Sequence, residues 1–151
     1  MPNKQQPLKP STVLGFDFGM KHIGLAVGQS ITHSATPLKT LSALDGIPDW
    51  NAIQSLIDEW RPTALIVGLP LTMDGSEQPI SFAARRFMNR LKEHFGLPIF
   101  EVDERLSSWA AKDEMGTGVA RTAKKRRAAR DKVHSCAAAL LIEQWYATHR
   151  S

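Results

Sequence analysis

Cysteine is nearly missing from this chain of 151 residues: the single Cys136 lies in an Ala-rich apolar stretch, which excludes an intrachain disulfide framework and a thiolate zinc cluster. Apolar runs are short as well. The longest, Ala64 to Leu71, is interrupted by Pro70 and falls far below the ~20 residues that a bilayer-spanning helix needs. The opening segment, Met1 to Thr12, is polar, carries Pro2, Pro7 and Pro10, and has no apolar core of the kind found in a secretory signal. Residues 1–11 are therefore expected to form a disordered lead, and a reducing cytoplasm is the expected compartment. Internal repeats and interdomain linkers are absent, and the length suffices for one hydrophobic core rather than two, so 12–151 is expected to be a single domain. An acidic excess is also missing. The 19 Lys and Arg against 15 Asp and Glu give a net charge of +4, which favours a polyanionic partner but says nothing of chemistry.

What is present has the composition of a soluble globular domain, with 42% hydrophobic and 23% charged residues. Val13–Phe18 and His22–Gly28 read as strands around a tight turn at Gly19-Met20-Lys21, and Ile31–Thr40 as a third strand. Pro48 and Asp49 open a helix in which Trp50, Ile53, Leu56, Ile57 and Trp60 recur at helical spacing, and Pro62 stops it. The unbroken run Ala64-Leu65-Ile66-Val67 suits a central strand covered on both faces. A loop from Gly68 to Pro79 precedes an amphipathic helix over Ile80–Phe95, closed by Gly96. Pro98–Asp103 is a further strand, Leu106–Met115 a short helix, and Ala128–Thr148 a final helix with Val133, Cys136, Ala137, Leu140, Leu141 and Trp145 on its apolar stripe. This order predicts a mixed sheet with helices on its faces.

One residue violates the pattern. Asp17 places a carboxylate inside an otherwise buried strand, where an unpaired charge is costly, so it calls for a partner, a proton or a cation. If the later strands lie parallel to the first, their carboxyl ends bring Asp17 and the pair Asp103-Glu104 to the ligand-binding side of the sheet. Asp131 and His134, three apart on the last helix, add two more groups. Converging carboxylates suit divalent cations and phosphodiester hydrolysis. Taken singly, Asp103 and Asp131 read as solvated or helix-end charges, and His134 as an interfacial histidine.

The segments GFDFGMKHIGLAVG (15–28), IVGLPLTMDGSEQP (66–79), DERLSS (103–108) and KVHSCAAALLIEQW (132–145) together resemble the YqgF family, also called RuvX. The resemblance runs in order from about Thr12 to Tyr146. It implies an RNase H-like fold, with a five-stranded mixed sheet of three antiparallel and then two parallel strands, flanked by helices. It also implies a metal-dependent endonuclease, using Mg²⁺ or Mn²⁺, that processes the 5′ end of pre-16S rRNA. The site it implies is built from Asp17, Glu104 and an acid on the last helix. The family's Asp before the Ala-rich run falls on His134 here, while Asp131 with His134 keeps the spacing of three found in related resolvases. Imidazole serves Mn²⁺ and later transition ions better than Mg²⁺.

Lys21 and Arg105 each adjoin a proposed acid and have two readings: contact with a scissile phosphate, or pairing with the neighbouring carboxylate. The basic run Arg121, Lys124, Lys125, Arg126, Arg127 and Arg130 precedes Asp131 and is read as a nucleic-acid contact. Three functional classes follow: a nuclease for structured RNA, a resolvase of branched DNA, and a nucleic-acid-binding factor with impaired catalysis. An actin-like ATPase shares the Gly-x-Asp-x-Gly hairpin but needs two lobes, which this length does not allow.

Overall fold

The computed structural model describes residues 11–70, 75–103 and 123–148, with side chains in the last segment from 132 onward. The elements are β1 (Thr12–Asp17), β2 (His22–Gln29), β3 (Ser34–Leu44), β4 (Ile47–Pro48), α1 (Trp50–Trp60), β5 (Ala64–Leu69), α2 (Pro79–Phe95), β6 (Ile99–Asp103) and α3 (Ala123–Thr148). The strand order across the sheet is β4-β3-β2-β1-β5-β6. The pairs among β1 to β4 are antiparallel, while β5 lies parallel to β1 and β6 parallel to β5.

The mixed sheet is the expected one with one strand more. Among the described residues six strands are present where five were anticipated, because the chain doubles back after β3 through Asp45 and Gly46, both at positive φ, and pairs Leu44 with Ile47. Asp-Gly is the residue pair that a two-residue hairpin turn of this hand favours. The third strand also shifts from 31–40 to Ser34–Leu44, since Thr32 and His33 lie in the turn that sets Gln29 opposite Ser34. A register shift brings Ala26 opposite Pro37 and Leu25 opposite Lys39, leaving Leu38 as the extra residue of a bulge next to Pro37, which has no N–H to give the ladder.

Side-chain alternation sorts the strands onto two cores. Leu14, Phe16, Ile23, Leu25, Leu65 and Val67 face α1 and α2, where they meet Ile53, Leu56, Phe87 and Leu91. Val13, Ala26, Ala64 and Ile66 face the other way, onto Ala138, Leu141, Ile142 and Tyr146 of α3. Helix ends follow local chemistry. Asp49 caps α1 by accepting from the Asn51 N–H at 2.9 Å, and Arg61 ends the helix in a left-handed conformation just before Pro62. Pro79 takes the first position of α2, and Gly96, at φ 66°, donates its N–H to the Lys92 carbonyl. The buried Ser81 hydroxyl donates to the Pro70 carbonyl and ties the start of α2 to the end of β5. Among the described residues, no helix is long and apolar enough to cross a membrane.

Candidate active site

Glycine decides how close α3 comes to the sheet. A Cβ on Gly24 would stand 2.1 Å from the His134 carbonyl oxygen, and one on Gly15 would stand 2.6 Å from the Ile142 side chain. The helix backbone thus rests on the sheet at Gly24, a residue directly opposite Asp17 in the β1–β2 ladder. Along α3, His134 lies at Gly24, Ala138 at Gly15 and Ile142 at Gly28, so the helix runs antiparallel to β1. Its amino-terminal turns therefore project beyond the carboxyl end of β1. At 1.5 Å per residue, Lys124 lies about 15 Å along the axis from His134.

Asp17 closes β1 on the α3 side of the sheet and is only 5% exposed. Its Oδ2 stands 3.6 Å from Nδ1 of His134, an ion-pair distance when the imidazole is protonated and longer than a hydrogen bond. The ring of His22 stacks on that of His134, with centroids 5.4 Å apart and planes 16° from parallel. Sequence reasoning missed His22 as a site residue. The available signal was its parity: it stands two residues before Gly24 on one strand and so shares the face of Asp17.

Of the predicted groups, Asp17 and His134 are brought together. Lys21 is exposed in the β1–β2 turn, where its carbonyl accepts from the Ala43 N–H. Asp131 and the run Lys124, Lys125, Arg126 and Arg127 lie on the α3 backbone, their side chains outside the described residues. Glu104, Arg105 and the expected helix over 106–115 also lie outside them. Asp103 pairs in register with Leu69, on the α1–α2 face, and so points away from the side that Asp17 occupies. Arg85 is likewise engaged on that face. It bonds Glu77 at 2.8 Å and Glu101 at 3.2 Å, and its hydrogen bond holds the Glu77 carboxyl below the usual range. Among the described residues, no three His, Cys, Asp or Glu side chains are grouped to hold a metal ion. The juxtaposed pair of one carboxylate and one imidazole is a donor set that suits a divalent transition ion.

This sheet order, with helices on both faces and an acid at the end of its first strand, defines an RNase H-like fold of the resolvase type. The chain resembles Thermus thermophilus RuvC in complex with Holliday junction substrate, with a TM-score of 0.51 at 15% identity, over 93% of this chain and 96% of that one. It also resembles the Fowlpox virus resolvase bound to Holliday junction DNA, with a TM-score of 0.50 at 11% identity, over 89% and 97% of the two chains. At these identities the likeness is one of fold. The family follows from sequence: residues 11–148 match the family described as RuvX: Holliday junction resolvase, and the chain belongs to it. It is 48% identical to a protein of Shewanella oneidensis named "Putative pre-16S rRNA nuclease", over 94% of this chain and 98% of that protein. A protein of the same name from Nitrosococcus oceani is 50% identical, over 92% and 88%.

Proposed function

We infer that this chain is a divalent-metal-dependent endonuclease that hydrolyses phosphodiester bonds in structured RNA, with the 5′ end of pre-16S rRNA as its substrate. The observation that carries the reading is the buried Asp17 carboxylate set against His134 at the carboxyl end of β1, in a family of nucleases. The names of the relatives from Shewanella oneidensis and Nitrosococcus oceani support the choice of substrate. In this reading Asp17, Glu104, Asp131 and His134 hold the cation, Mg²⁺ or Mn²⁺. When bound, the cation supplies Lewis acidity for phosphodiester hydrolysis. Asp17 would hold it from the end of β1 and His134 from α3, which Gly24 of β2 lets rest closely on the sheet. Lys21, Arg105, Lys124, Lys125, Arg126 and Arg127 contact the phosphate backbone, whose charge they match.

A second reading, cleavage of branched DNA, is favoured by the description of the family as Holliday junction resolvases. A cleavage panel separates the two: precursor rRNA, linear duplex and four-way junction DNA, each with Mg²⁺ and with Mn²⁺, beside Asp17→Asn. The expected result is cleavage of precursor rRNA that falls more than about a hundredfold in the variant while binding persists. Cleavage that survives the substitution would remove the proposed site, preferential cutting of the junction would shift the reading to the resolvase, and binding without cleavage under either ion would make the chain a binding factor.

A further inference from the structure

Gly24 and His22 of β2 and Asp17 of β1 each fix a different freedom of His134. The first is its place. A Cβ on Gly24 would stand 2.1 Å from the His134 carbonyl oxygen and 2.8 Å from the Ser135 nitrogen, so the helix backbone at His134 lies directly on the strand. Further along α3, Ala138 lies at Gly15, whose ladder partner is Ala26, and Ile142 lies at Gly28. The helix therefore runs in the same direction as β2.

That direction decides where the ring falls. A helical side chain leans toward the amino terminus of its own helix, which here is also toward the amino terminus of β2. His22 stands there, two residues before Gly24 and roughly 7 Å along the strand, on the face that Ala26 buries against α3. The His22 and His134 rings lie with centroids 5.4 Å apart and planes 16° from parallel, within the range of offset-stacked aromatic pairs. The stack sets the plane of the His134 ring. Asp17 Oδ2, 3.6 Å from Nδ1, selects which edge of the ring faces β1, but this contact is longer than a hydrogen bond and does not hold the plane by itself.

Resting on the nuclease reading above, we propose that His22 is a positioning residue: its ring holds the His134 imidazole in the plane from which that imidazole reaches the cation. His22 contributes an aromatic face and no ligand atom. A metal-binding histidine needs a second group to set its orientation, commonly a hydrogen-bonded carboxylate or carbonyl. In this chain a stacked ring takes that part. The terminal torsion of a histidine is broad, so without the stack the ring spreads over orientations that do not bind, and apparent metal affinity falls by the fraction of time it spends in them.

The test uses the full chain with His22→Ala and His22→Phe, thermal midpoints confirming that each folds. Phe keeps a flat ring and removes both nitrogens, so it separates stacking from ligation. Mn²⁺ binding is read from the electron paramagnetic resonance signal of the free ion, metal-free RNA binding from fluorescence anisotropy, and His134 ring order from ¹³C relaxation at Cε1 in the metal-free protein. His22→Ala is expected to bind Mn²⁺ about three- to tenfold more weakly, with a mobile His134 ring, while metal-free RNA affinity stays within about twofold. His22→Phe is expected to stay within about twofold of the wild type in all three measurements. A His22→Phe variant as weak toward Mn²⁺ as His22→Ala would make a ring nitrogen of His22 the working group and overturn the stacking role. Metal and RNA affinities that fall together in His22→Ala would mark a merely structural residue and overturn it as well. Unchanged Mn²⁺ affinity in His22→Ala would also overturn it, leaving the nuclease reading standing where the wild type cleaves. A wild type that neither bound Mn²⁺ nor cleaved would overturn both.

Discussion

Asp17 and His134, 117 positions apart in sequence, meet at 3.6 Å because α3 rests with its backbone on Gly24 of β2, the residue opposite Asp17 in the β1–β2 ladder. The space that a methyl group would occupy on Gly24 is filled by the backbone of the helix that carries His134. Site geometry and core packing are thus one feature, and most of the expected consequences follow from that.

Gly24→Ala should be far more costly than a surface Gly→Ala change. The new Cβ would overlap the His134 carbonyl, so α3 must lift away from the sheet, at a cost of about 1–3 kcal/mol or more. Chemical denaturation measures the loss of stability. In the fraction still folded, cleavage should fall further than binding, since the Asp17–His134 separation grows while the basic residues stay on the helix.

Exchanging His134 for a carboxylate tests the metal preference of the donor set. Oxygen ligands suit Mg²⁺, whereas imidazole suits transition ions. His134→Asp is expected to raise the ratio of Mg²⁺-supported to Mn²⁺-supported cleavage, and His134→Ala to lower activity with both. A ratio identical to that of the wild type would show that His134 does not reach the cation.

The basic residues of α3 should act on the phosphate backbone. Replacing Lys124, Lys125, Arg126 and Arg127 by alanine is expected to flatten the slope of log K against log salt by about 0.7 for each single-strand phosphate that is no longer neutralised. Affinity measured across a salt series reads this directly. An unchanged slope would place the entry path elsewhere.

Tyr146 is the only tyrosine in the chain and is buried where α3 packs on the sheet, which pushes its phenol above the ordinary value of 10.0. The cause is desolvation of the anion. Because the folded protein holds this proton more tightly than the unfolded chain does, the associated stability is complete below about pH 10 and is lost as pH rises through the folded value. Phenolate absorbance, followed with pH in native and denatured protein, should show the native curve displaced upward; coincident curves would contradict the burial.

Much of the fold was written locally. Asp17 stood out because one carboxylate among Leu14, Phe16 and Phe18 is conspicuous in any window of that length, and α2 announced itself through its apolar period and Gly96. The sixth strand was legible too, in Asp45-Gly46 between Leu44 and Ile47, but two residues give no period to read, and Pro48-Asp49 drew attention to the helix start instead. Asp103 and Glu104 looked like one acidic unit in sequence. The parallel register separates neighbours by face, and sends Asp103 to the side away from Asp17.

The chain's own order of residues was enough to settle most of the described elements, the mixed sheet, the buried acid and the family, because each rests on short-range period or on residue identity. The stacking of His22 on His134, the contact of His134 with Asp17 and the shared face of Leu44 and Ile47 depend on which strand lies beside which and how deeply a helix seats. Those are long-range packing outcomes. A glycine in a strand does not say what will fill the space it leaves until the partner helix has docked.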